Sequence, residues 1–268
     1  MKTVVIVKRL FLILMIILSL SPYASGATYL MIIEGINKDV DEIQSKDRAV
    51  LKLQKAATQK FHVSHKNSII LSYKGSLVTN TNGLSTAETI KLNIRSFSEK
   101  IRPTDRFILY YLGQANAVKG TLRLNLPGPD ITGEHLAKWI EPIKTSNMLI
   151  IVDCPNAGLV VKHLARSGRI ILVSSRADQP YSPRFCEYFI PAIIASESDI
   201  NHDGKISLME TLQQTARRLD QFYLDRDQVK HENFLLEDDG DGVPNQQPWL
   251  YHENKTDGLI ASKYFWKG

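Results

Sequence analysis

The chain reads as an α/β protein: a three-layer, doubly wound, mostly parallel sheet followed by a C-terminal extension of EF-hand type. Two observations carry that expectation. Short runs that are apolar at successive positions recur along the chain, as strands covered on both faces require. Segments of helical periodicity separate them, as parallel crossovers require. Of the 268 residues 43% are hydrophobic, enough to build a core and too many for a disordered chain.

Residues 1 to 26 read as a signal peptide. Lys2, Lys8 and Arg9 precede the apolar run Leu10 to Leu20, and Ala24 and Gly26 stand at −3 and −1 of a cleavage site before Ala27. The run is short for a transmembrane span, so a cleaved leader is expected and an uncleaved anchor is the alternative, and no later segment is suited to crossing a bilayer. The mature chain is thus expected to be exported, periplasmic or secreted, with no membrane span. Removing the leader takes three positive charges and no negative one, so the formal charge of +5 falls to +2. That near-neutral balance argues against a nucleic-acid partner.

The elements then follow in order. Tyr29 to Ile36 is a strand; Asp47 to Phe61 places Val50, Leu51, Leu53 and Ala57 at helical spacing; Ser68 to Tyr73 is a second strand. Ser85-Thr86-Ala87-Glu88 reads as a capping box opening a helix that runs to Ile101. Asp105 to Gly113 is a strand, Leu122 to Leu126 a hairpin arm, and Pro127 to Asp130 a turn before a helix begun by Thr132. Asn147 to Asp153 is a strand, Ala157 to Ala165 a helix, Arg169 to Ser175 a strand and Pro183 to Ala195 a helix. These make one domain, 27 to 196. Residues 197 to 245 hold a loop, a long amphipathic helix (Ser207 to Gln228) and an acidic loop, and 246 to 268 form a tail.

Residues 199 to 210 (DINHDGKISLME) fit the twelve-residue EF-hand loop. Calcium is a hard cation that takes six to eight oxygens. Asp199, Asn201 and Asp203 stand at positions 1, 3 and 5, Lys205 offers its carbonyl, Ser207 is position 9 and Glu210 closes the site. Gly204 permits the sharp turn. Ca2+ is therefore the expected cofactor, in a structural role. A second run, Glu237 to Gly242 (EDDGDG), repeats the first half of such a loop with Glu237, Asp239 and Asp241 at positions 1, 3 and 5. Its position 12 is Pro248, which cannot chelate, so two readings stand: a second calcium loop, or a solvated acidic turn.

Cys154 and Cys186 permit one disulfide in an exported chain, though spacing does not establish it. His62, His65, His202, His231 and His252 show no zinc-type spacing.

Residues 107 to 115 (FILYYLGQA) resemble the strand-end motif of caspase-like and legumain-like (C13-type) cysteine peptidases, where an apolar strand runs into Ser-Gly-His-Gly. Residues 150 to 158 (IIVDCPNAG) resemble their nucleophile strand, which ends in a pattern like Asp-Ser-Cys-His-Ser-Gly. Segments 124 to 132 (LNLPGPDIT) and 168 to 171 (GRII), the calcium loop and 236 to 242 (LEDDGDG) follow in the order of a bacterial exported branch. The resemblance spans roughly residues 28 to 243.

It places Gln114 at the histidine position and Pro155 at the cysteine position of the dyad. An amide cannot act as a general base, and proline offers neither a nucleophile nor an N–H for an oxyanion. The resemblance thus implies an inactive peptidase homologue, a calcium-stabilised module binding a polypeptide or cell-envelope component. One alternative is an active cysteine endopeptidase using Cys154, whose side chain strand alternation aims away from the histidine position, with His135 and His163 as the available bases. Another is an exported EF-hand α/β binding protein of unknown ligand.

Overall fold

The computed structural model describes residues 26–37, 39–250 and 256–266, so the expected leader, apart from Gly26, lies outside the described residues. The elements are β1 (Thr28–Glu34), α1 (Val40–Gln59), β2 (Ser68–Ser72), β3 (Gly83–Leu84), α2 (Ala87–Ser98), β4 (Arg106–Leu112), β5 (Ala115–Val118), β6 (Thr121–Leu124), β7 (Ile131–Thr132), α3 (Gly133–Ile140), β8 (Met148–Asp153), α4 (Val161–Leu164), β9 (Arg169–Val173), α5 (Phe185–Ile194), α6 (Leu208–Leu224) and β10 (Leu235–Glu237). Seven strands form one sheet in the order β10-β9-β8-β4-β1-β2-β3. All neighbours are parallel except β10, which runs antiparallel to β9. The fold is therefore α/β, with a mostly parallel mixed sheet flanked by helices.

The doubly apolar strands explain the layering. Met31, Ile33, Leu109, Tyr111, Ile150 and Val152 meet Ile90, Ile94 and Phe97 of α2, Leu136 of α3 and Leu164 of α4 on one face. The alternate residues Leu30, Ile32, Ile108, Tyr110, Leu149 and Ile151 meet Val50 and Leu53 of α1, Phe185 and Phe189 of α5, and Leu208 and Leu212 of α6. Each such side chain, fully buried, contributes about 1.5–3 kcal/mol from its apolar surface. No helix among the described residues is long and apolar enough to cross a membrane.

Several boundaries differ from expectation for local reasons. Helix α1 starts at Val40, well before Asp47, because Asp39 caps it by accepting from Asp41 N (2.9 Å) and Glu42 N (3.2 Å). The polar first turns, with Asp41, Glu42, Gln44 and Ser45, hide the periodicity. Helix α2 is capped by Thr86, whose Oγ1 accepts from Thr89 N, and not by Ser85. Ser85 N still donates to Ser72 O at the sheet edge (2.8 Å), so the chain is extended there. The helix expected at 157–165 is a 3-10 turn, Ala157–Val160, followed by the short α4. Beyond the single expected arm, β5, β6 and β7 form a small antiparallel sheet.

The segments after residue 196 share the core. Phe234, Leu236, Ala261, Tyr264 and Trp266 pack with α1, α5 and α6. Trp266 lies against Phe61, Phe189 and Tyr264, and its Nε1 donates to Thr211 Oγ1 (2.8 Å). Leu208 N donates to Tyr264 O (2.8 Å), and Ser207 bridges Phe265 in antiparallel fashion. The C-terminal segment thereby fastens the N-terminus of α6, where the 199–210 loop ends.

Candidate functional site

Strands run outward from β1 to β3 on one side and from β4 to β10 on the other, so the sheet reverses between β1 and β4. Open α/β sheets bind ligands at the carboxyl ends of the strands beside such a switch point. Glu34, Leu112 and Asp153 stand level there across β1, β4 and β8. Two glycines let the exits cross: a Cβ on Gly113 would lie 2.7 Å from Gly35 Cα, and one on Gly35 only 2.2 Å from Tyr111 Oη.

Gln114 emerges at this point. Its Nε2 donates to Glu42 Oε2 in the first turn of α1 (2.5 Å) and to Ser182 Oγ (3.3 Å). It ties the β4 exit to α1 and to the loop before α5, and holds no titratable atom. Glu42 and Ser182 also line a cavity of about 470 Å³ with Asp39, Lys46, Arg184 and Glu187.

Several polar atoms at this end of the sheet are buried and unpartnered: Glu34 Oε1, Asn37 Oδ1, Lys46 Nζ, Asp153 Oδ1 and Arg184 Nε. Burial works against the Lys46 ammonium, but Asp153, Cys186 and Glu42 outweigh it and raise its pKa. Burial raises the Asp153 carboxyl, against the pull of Lys46 and of hydrogen bonds from Ser174 and Tyr110. Unsatisfied polar groups beside a cavity suit a site that takes a polar ligand.

The backbone donors at the β8 exit are bonded within the protein. Cys154 N donates to Ser174 Oγ (3.1 Å), Asn156 N to Gln179 O (2.8 Å), Ala157 N to Ser175 Oγ (2.9 Å) and Gly158 N to Ser175 O (2.9 Å). Pro155 has no N–H, so every backbone donor from 154 to 158 is spent internally. Cys154 is fully buried and belongs to the core under α2, α3 and α4, whereas Gln114 reaches α1. Burial pushes the Cys154 thiol well above its ordinary value. Cys154 and Cys186 are both free and buried. His135 is exposed and caps α3, its Nδ1 accepting from Thr132 N (3.3 Å).

The 199–210 loop folds on its own side chains. The Asp199 carboxylate accepts from Asp203 N (3.1 Å) and Gly204 N (2.9 Å), Asn201 Oδ1 from Asp203 N (2.9 Å), and Asp203 Oδ1 from Lys205 N (2.9 Å). Gly204 has φ 81°, a left-handed conformation that glycine adopts freely. Ser207 is the N-cap of α6 and Glu210 its third residue, reciprocally bonded as a capping box. Glu210 Oε1 accepts from Ile200 N (3.1 Å) and Asn201 N (3.2 Å), and Oε2 from Ser207 N (2.9 Å) and Oγ (2.8 Å). Glu210 thus closes the loop end to end, but Asp199, Asp203 and Glu210 do not form a set of three whose oxygens all lie within 4.8 Å of one another. Lys205 N–H is bonded to Asp203, which holds the backbone of its turn.

Among the described residues, the group of acidic, Cys or His ligand atoms that does lie within 4.8 Å is Glu237, Asp239 and Asp257. The structure therefore gathers two of the three second-loop residues and adds Asp257, which spacing within one loop could not find. Asp241 turns away to accept from Val243 N (2.6 Å).

No known family matches the chain, and a search of curated proteins finds no match either.

Proposed function

We propose that the chain is an exported, calcium-stabilised module of the caspase-like and legumain-like group that binds a polypeptide or cell-envelope component without cleaving it. The observation that carries this reading is the state of the β8 exit. The residue resembling the nucleophile position is Pro155, the neighbouring thiol is buried on the far face from Gln114, and each N–H from 154 to 158 is bonded within the protein. The cavity beside Gln114, with unpartnered Lys46 Nζ and Arg184 Nε, is where an extended peptide would lie. Calcium enters at Asp199, Asn201, Asp203, Lys205, Ser207 and Glu210, the bonded loop supplying a preformed turn.

The test is a degenerate peptide library incubated with mature protein in millimolar calcium, beside Cys154→Ala. Peptides retained intact by both proteins are expected. Cleavage that disappears with Cys154→Ala would make the chain a cysteine endopeptidase and end the non-catalytic reading.

A further inference from the structure

Glu237 closes the edge strand β10 and is fully buried. Its Oε1 accepts from Gly240 N (2.6 Å), while Oε2 has no hydrogen-bond partner. A carboxylate oxygen left so inside a protein is costly unless something positive reaches it. One oxygen each from Glu237, exposed Asp239 and buried Asp257 lies within 4.8 Å of the others. None of the ion pairs among the described residues includes these acids.

We propose that Glu237, Asp239 and Asp257 bind a calcium ion, which pins the C-terminal segment 256–266 to the edge of the sheet. Three convergent carboxylates and no nitrogen or sulfur make a site for a hard cation. Calcium–oxygen distances of about 2.3–2.6 Å place any two ligand oxygens no more than about 5 Å apart, and the three carboxylate oxygens here lie within 4.8 Å of one another. The other groups in this turn already hold the segment ready. Asp238 accepts from Gly258 N (2.7 Å), Ile260 N (3.0 Å) and Ala261 N (2.8 Å), and Asp238 N donates to Asp257 Oδ1 (2.9 Å). Thr256 Oγ1 donates to Asp239 Oδ2. The acid that completes the set comes from this returning segment, in place of Pro248 at the twelfth position of the loop. Because Phe265 bridges Ser207, a cation here also steadies the end of the 199–210 loop. This site does not depend on what the strand-end groove binds.

The test is calorimetric titration of the mature chain with calcium alone, in a Glu210→Gln background that disables the first loop. One calcium per chain is expected. Adding Asp257→Asn, which keeps the Oδ1 acceptor for Asp238, should weaken it at least tenfold, and in calcium should speed proteolysis of the C-terminal segment. Asp239→Asn, at an exposed position, should weaken binding likewise and decides the matter if the Asp257 variant does not fold. A Glu210→Gln protein that binds no calcium, or folded Asp257→Asn or Asp239→Asn variants that bind as tightly as their parent, would overturn the site.

Discussion

Cys154 shows how far one residue's surroundings decide its chemistry. Reactive thiols are partly exposed and thiolate-stabilised; Cys154 is neither, since burial raises its pKa and its neighbours are core side chains. Alkylation of Cys154 and Cys186 in the native protein at neutral pH should run at least about 100-fold slower than for a free thiol and speed up on unfolding. Rapid native labelling of Cys154 would contradict that placement. Lys46 makes a second prediction. It is 2% exposed, its Nζ has no hydrogen bond, and Asp153 is the strongest charge acting in its favour. Lys46→Met leaves Asp153 buried without that charge and should cost about 3–5 kcal/mol, with much of the loss recovered by adding Asp153→Asn. Denaturant titrations of both single variants and the double variant check it, and a purely additive cycle would show that the two do not interact.

At the scale of elements, the regularly apolar strands were legible and the irregular pieces were not. β1, β2, β4, β8 and β9 coincide with expected runs because burial on both faces leaves a continuous apolar signature. β10 has three residues, two of them leucine, beside an acidic loop, and gave no periodicity. The start of α1 was hidden by polar residues, with Asp39 capping the helix and Glu42 and Ser45 bonded to Gln114 and Glu187. Helix α6 depends on both its cap and its cover. Ser207→Ala removes the acceptor for Glu210 N and should cost about 0.5–2 kcal/mol. Trp266→Ala removes a buried ring between Phe61, Phe189 and Tyr264 and should cost about 3–5 kcal/mol in chemical denaturation. A loss below that of Ser207→Ala would mean that the C-terminal segment is not part of the core.

For the whole molecule, stability should fall as pH rises through neutrality. Burial, then the hydrogen bond with Asp47, raises Glu34 from an ordinary 4.5 to about 8, and burial raises Glu232 to about 7. Both carboxyls bind protons more tightly folded than unfolded. Their contribution is therefore complete below about pH 4.5 and is lost through pH 7 for Glu232 and 8 for Glu34, with a slope of at most about 1.4 kcal/mol per pH unit for each group. Glu34→Gln should flatten the profile between pH 5 and 8; an unchanged profile would show that Glu34 does not carry it.

The candidate site was legible to the extent that its residues are neighbours in sequence. Asp199 through Glu210 form one loop with recognisable spacing. Asp257 joins Glu237 and Asp239 only because the chain returns to β10, a closure that no spacing within one loop records. The cavity residues Lys46, in α1, and Arg184, just before α5, likewise come from parts of the chain brought together by the sheet.

That calcium holds this fold together is tested most directly by thermal unfolding of the mature chain with and without millimolar calcium. Saturation about 100-fold above one dissociation constant adds about 2.7 kcal/mol, which for a chain of this size is a rise of roughly 5 to 10 °C. Such a rise, reduced by Glu210→Gln, is the predicted result. An unfolding temperature that does not move with calcium would contradict it.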